Sequence, residues 1–83
     1  MVPHVMEARY VSGYVIWLRF DDGLEGEVDL EEELYGEVFL SLRDVDAFQR
    51  FWVHPELRTV VWENGADFAP EFLHDKVQVL SRG

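Results

Sequence analysis

The stretch Trp62-Glu63-Asn64-Gly65-Ala66-Asp67 is the best place in this chain to look for chemistry. It sets two carboxylates and an amide beside an indole, just before a predicted helix. Paired carboxylates can do acid–base work when burial drives their pKa values apart. A site of that kind also needs a concave, partly apolar pocket. The plainer reading, which these residue types favour, is that Asn64-Gly65 makes a turn and Asp67 accepts from backbone N–H groups of the helix that follows. A second candidate is Trp17 with Val15 and Arg9 on a charged strand face. An indole exposed among charges can anchor a protein partner. Alternatively, the last helix or a second hairpin covers it. Both readings stay open.

Other chemistries find little support. His4, His54 and His74 show no helical spacing to a second ligand, so surface histidines are expected and no metal. Gly23 and Gly26 read as turn and strand glycines, and no phosphate-binding loop is present. Ser12, Ser41 and Ser81 lie in no nucleophile motif. With no cysteine there is no disulfide, thiolate site or cysteine nucleophile. The chain is expected to need no cofactor and to be no enzyme, although a ligand-binding or enzymatic role for the Trp62–Asp67 loop is the alternative.

Seventeen acidic residues against seven basic ones give a net charge of −10 over 83 residues. Binding to a phosphate backbone needs clustered Lys and Arg, so direct nucleic-acid binding is not expected. The charge fits a basic protein partner; self-association into a homodimer is a further option. The plain explanation is that acidity keeps a small domain in solution. No run approaches about 18 apolar residues and no basic leader precedes one, which argues against a membrane span or secretion signal. A cytoplasmic location is the expectation.

The elements that position these residues start from a hairpin. Phe20-Asp21-Asp22-Gly23 suits a type I turn with Gly23 left-handed, giving a three-residue loop with a bulge. Phe20 then faces Leu24, Leu18 faces Gly26, Ile16 faces Val28 and Tyr14 faces Leu30. One face becomes apolar, and the other carries Val15, Trp17, Arg19, Glu25, Glu27 and Asp29. A slip of one residue would scramble both faces. Extending the pattern backwards pairs Val11 with Val15, Tyr10 with Ile16, Ala8 with Leu18 and Met6 with Phe20. Glu7 then meets Arg19, and Arg9 falls beside Trp17.

Downstream, Asp29 and Glu32 form a capping box for a helix over residues 30–35, stopped by Gly36. Val38, Phe39 and Leu42 read as a buried connection. Asp44 caps a helix through Arg50, with Val45 and Phe48 inward. Residues 51–53 and 58–62 read as a second hairpin. Pro70 opens a last helix with Phe72, Leu73, Val77 and Leu80 as its apolar stripe, fraying at Ser81-Arg82-Gly83. The whole chain, residues 1–83, is expected to be one domain. The fold class is α+β: a small antiparallel sheet, made of an N-terminal three-strand meander plus a second hairpin, packed against two or three short helices.

Several of these residues also carry a resemblance. Leu18-Arg19-Phe20-Asp21-Asp22-Gly23, Val28-Asp29-Leu30, Val38-Phe39 with Leu42 and Phe48, and Val61-Trp62-Glu63-Asn64-Gly65-Ala66-Asp67 with Pro70 and Leu73 resemble the bacterial domain of unknown function 2442 family. Relatives often have Pro after the Trp, where this chain has Glu63. The resemblance implies a small α+β fold with no established activity and no catalytic residues to carry over. Some relatives carry this module before a helix-turn-helix domain. Others look to be encoded beside a small protein of another uncharacterised family, in an arrangement similar to toxin–antitoxin pairs. No helix-turn-helix segment is seen here, so a DNA-binding role is not expected to transfer.

Overall fold

Alternation between apolar and charged residues builds the first layer. In the computed structural model, which describes residues 2–82 in backbone and 2–77 in side chain, β1 (Val5–Ser12), β2 (Val15–Phe20) and β3 (Glu25–Asp29) form an antiparallel sheet in the order β1-β2-β3. The β2–β3 register is the predicted one: Ile16 pairs with Val28, Trp17 with Glu27, Leu18 with Gly26 and Arg19 with Glu25. Ile16, Leu18, Phe20, Val28 and Leu30 are all buried on one face. At about 1.5–3 kcal/mol per fully buried side chain, that face is a main source of stability.

The β1 register departs from expectation at both ends. Tyr10–Ile16, Ala8–Leu18, Arg9–Trp17 and Glu7–Arg19 pair as predicted, but Ser12, not Val11, meets Val15, and Val5, not Met6, meets Phe20. Irregularities between Tyr10 and Ser12 and between Val5 and Glu7 cause both changes. Gly13, with φ 52°, lets a two-residue loop close the hairpin. Each bulge turns one residue outward. Met6 is therefore 51% exposed and Val5 2%, and Val11 also faces solvent.

The predicted helix over residues 30–35 shrinks to one 3-10 turn at Glu31–Glu33. Asp29 does accept the Glu31 N–H, at 3.0 Å, but no reciprocal bond from Glu32 is seen among the described residues. Leu30 and Leu34 are both buried, four residues apart. Gly36 follows at φ 85°, ψ 159°, which leaves no room for a second turn. Gly36 instead precedes a one-turn helix, α1 (Glu37–Leu40), which the sequence reading missed. Val38 is exposed there, while Leu42 is buried in the 3-10 turn at Ser41–Arg43.

Asp44 caps α2 (Val45–Phe48) by accepting the Asp46 N–H at 3.1 Å; the helix stops two residues short of Arg50. The second hairpin is β4 (Trp52–Val53) with β5 (Val60–Val61), shorter than predicted. Arg58, at φ 54°, cannot continue a strand. Thr59 is buried and donates its hydroxyl to the Phe68 carbonyl at 2.6 Å. This hairpin is a separate two-stranded sheet that lies against β1, joined by the Val5 N–H to the Arg58 carbonyl at 2.9 Å.

Pro70 opens α3 (Pro70–Arg82), which packs on β3 through Leu73 and Val77, one turn apart and both fully buried. Phe72, predicted in the stripe, is partly exposed. The expectation for Leu80 in the stripe falls outside the described side chains; α3 runs through Ser81 and Arg82, where the sequence predicts fraying, and Gly83 lies outside the described residues. Phe48 sits at the centre of the rest of the core, with Tyr14, Tyr10, Trp62 and Phe51 rings 5.3–6.4 Å from its own. Among the described residues no helix is long and apolar enough to cross a membrane.

Candidate functional site

The Trp62–Asp67 segment repeats a turn already used once. The Gly65 N–H bonds the Trp62 carbonyl at 3.0 Å, and the Trp62 N–H bonds the Ala66 carbonyl at 2.9 Å. The Asn64 Oδ1 accepts the Ala66 N–H at 3.0 Å, and Gly65 has φ 88°. At Phe20-Asp21-Asp22-Gly23-Leu24 the corresponding distances are 3.0, 2.8 and 3.0 Å, with Gly23 at φ 90°. Aromatic, acid, Asx, Gly, aliphatic is thus a repeated local code for a type I turn with a left-handed Gly.

What differs is where each turn is tied. Asn64 reaches across with its amide Nδ2, donating to the Val38 carbonyl at 2.8 Å and to Ser41 Oγ at 2.9 Å. Trp62 is buried and donates its indole N–H to the Phe48 carbonyl at 2.8 Å. Glu63 is exposed on the rim of a recess of about 110 Å³, below the roughly 300 Å³ of an ordinary small-molecule pocket. Among the described residues the Asp67 side chain accepts no N–H of α3. The Asp67 backbone bridges Val61, and the Leu73 N–H bonds the Ala69 carbonyl at 3.2 Å. Asp67 is exposed and lines an aromatic cleft.

The other candidate, Trp17 with Arg9 and Val15, lies on the sheet face turned away from the core. Leu73 and Val77 of α3 belong to the core cluster with Ile16, Leu18 and Val28, so α3 covers the opposite face. The second hairpin lies along β1 and leaves Trp17 partly exposed. The Arg9 guanidinium sits 5.1 Å from the Trp17 ring centre. Its Nε donates to Glu7 Oε2 at 2.9 Å, and Arg19 approaches Glu7 Oε1 at 3.3 Å. Hydrogen bonding from Arg9, reinforced by Arg19, holds the Glu7 carboxyl below its ordinary pKa. Glu25, Glu27 and Asp29 complete the face along β3.

A third constellation was not legible in the sequence. His4 Nδ1 lies 2.9 Å from Asp21 Oδ2, and His74 Nε2 lies 2.7 Å from Asp22 Oδ2. The His74 ring also meets Phe20 edge-on at 4.9 Å. Both carboxyls are pulled below the usual range: Asp21 chiefly by its contact with the His4 ring, and Asp22 chiefly by the Leu24 N–H, then by His74. Residues 4, 21, 22 and 74 are too far apart in sequence for any spacing rule to join them. Among the described residues no three of His, Asp or Glu form a group that could hold a metal ion.

Neither a curated protein nor a solved structure matches this chain. A family model described as "Protein of unknown function (DUF2442)" matches residues 5–78, and the chain belongs to that family.

Proposed function

We propose that this chain is a protein-interaction module whose outer sheet face binds a basic protein. The observation that carries the reading is a sheet face that no element covers among the described residues, with Trp17 at its centre and Glu7, Glu25, Glu27 and Asp29 around it. Arg9 and Arg19 on this face are both held by Glu7, so the β3 carboxylates remain to meet an incoming cation. An indole flanked by charge is a common binding anchor, and charge complementarity speeds encounter. The toxin–antitoxin-like gene arrangement implied by the sequence resemblance makes the basic product of a neighbouring gene the first partner to test.

The test is calorimetric titration of that product into wild-type protein and into Trp17→Ala. A central anchor contributes about 2 kcal/mol or more, so affinity should fall roughly thirtyfold or further. Equal affinity for both proteins would remove the sheet face from the interface. No binding to wild type, together with no basic partner captured from native lysate by the wild-type bait alone, would remove the reading itself.

A further inference from the structure

We propose that a cleft on the helix side of the core is a seat for an arginine side chain presented by a protein segment. The cleft holds about 330 Å³ and is lined by Glu33, Tyr35, Phe39, Asp67, Phe68 and Phe72. Its floor is a ladder of three rings. Phe39 and Phe68 are stacked at 4.8 Å and 25°, and Phe68 and Phe72 at 5.7 Å and 17°. Tyr35, 69% exposed, stands at the rim and is not in the core cluster. Phe68 is buried between the other two rings, so the apolar surface left to water is chiefly that of Phe72 and Tyr35, which favours a ligand with a flat, weakly hydrated surface.

Two carboxylates set the sign of the charge that ligand should carry. Glu33 and Asp67 line the same cleft as the rings. The chain itself already places one cation against two of these residues. Lys76 Nζ lies 5.6 Å from the Phe72 ring centre and 3.3 Å from Glu33 Oε2. The ladder therefore accepts a cation between a ring and a carboxylate at the Glu33 end. Asp67, the other carboxylate of the lining, is exposed, and none of the ion pairs among the described residues involves it. A guanidinium suits this position better than an ammonium. It is planar, stacks on rings and gives a carboxylate two parallel N–H donors.

The cleft lies beside α3, on the other side of the core from Trp17, so it stands independently of what the sheet face binds. Its test uses a capped Gly-Arg-Gly peptide against the same peptide with citrulline, the neutral isostere of arginine. Binding is followed by NMR of aromatic-labelled protein. The arginine peptide should shift Tyr35, Phe39, Phe68 and Phe72 ring signals saturably and bind about two- to fivefold more tightly than citrulline. Asp67→Asn should remove most of that preference. Lys76→Gln should raise arginine affinity, because the internal cation no longer repels the incoming one. Both positions are at least partly exposed, and unchanged backbone spectra will show that the variants fold. Equal binding of citrulline, or an arginine preference indifferent to Asp67→Asn, would overturn the proposal. Shifts centred on Trp17 and Arg9 would overturn it too, while leaving the sheet-face reading intact.

Discussion

Replacing Asn64 separates a structural from a functional reading of the Trp62–Asp67 loop. The side chain makes three hydrogen bonds, to the Val38 carbonyl, to Ser41 Oγ and from the Ala66 N–H. Each is worth about 0.5–1.5 kcal/mol net, and because the residue is exposed, water takes over part of each one. Asn64→Ala should therefore cost about 2 kcal/mol. In a domain of this size that lowers the melting temperature by roughly 8–16 °C. Asn64→Asp keeps the acceptor for Ala66 but loses both amide protons and turns a carboxylate towards the Val38 carbonyl. It should be at least as destabilising at neutral pH. Its gap to wild type should narrow in acid, where a protonated carboxyl can donate again. Asp22→Asn is the control. It occupies the corresponding turn position, keeps the acceptor for the Leu24 N–H and should shift the melt less than Asn64→Asp. Thermal melts followed by circular dichroism supply the comparison. An Asn64→Ala protein melting within about 2 °C of wild type would show that the clasp between this loop and α1 carries no weight.

Two further outcomes follow from the same geometry. Val5→Ala should cost about 1–3 kcal/mol and Met6→Ala no more than about 0.5, measured by urea denaturation; the reverse order would contradict the β1 bulge. Glu7, Asp21 and Asp22 have folded pKa values below their unfolded ones, so their stabilising contribution is complete above the unfolded value, near 4, and is lost as pH falls through the depressed folded values. The urea midpoint should fall below about pH 4, and an Asp21→Asn/Asp22→Asn protein should lose less over that range; equal losses in both proteins would refute the assignment.

The β2–β3 register could be read from sequence because two independent constraints agree there. Alternation sorts Ile16, Leu18 and Phe20 from Trp17 and Arg19, and Asp22-Gly23 specifies the loop that brings them opposite β3. At β1 the pairing of Val11 with Val15 implied a three-residue loop, Ser12-Gly13-Tyr14, one residue longer than the real one, and alternation cannot see a bulge. Met6 and Val5 are both apolar, so either could have faced Phe20. The helix expected over residues 30–35 failed for a related reason. Its caps and spacing are genuine local signals, but a single 3-10 turn already buries both Leu30 and Leu34, and tertiary packing of this kind overrides them. The Asn64 turn was readable from Asn-Gly, whereas its amide bonds to Val38 and Ser41 depend on α1, an element the sequence did not suggest. The Phe39–Phe68–Phe72 ladder joins distant parts of the chain, and Phe39 and Phe72 each looked like core.

The charge on β3 bears on self-association, which the sequence left open. β3 is an edge strand, and its outward side chains are Glu25, Glu27 and Asp29. Two copies meeting along this edge would set carboxylates against carboxylates across the new ladder. Directly opposed like charges destabilise a strand pair, and charged edges are a common defence against such pairing. An incoming strand with Lys or Arg at alternate positions would meet the opposite situation. The other edge strand, β1, is flanked by β4, with the Val5 N–H already bonded to Arg58. Self-pairing through β3 should therefore be absent at low ionic strength. It should emerge only when salt screens the carboxylates or when Glu25→Gln and Glu27→Gln remove them. Sedimentation equilibrium over a salt series tests this. A wild-type dimer that is tightest at low salt and insensitive to those two substitutions would mean that copies meet elsewhere, and that the acidic edge does not choose the partner.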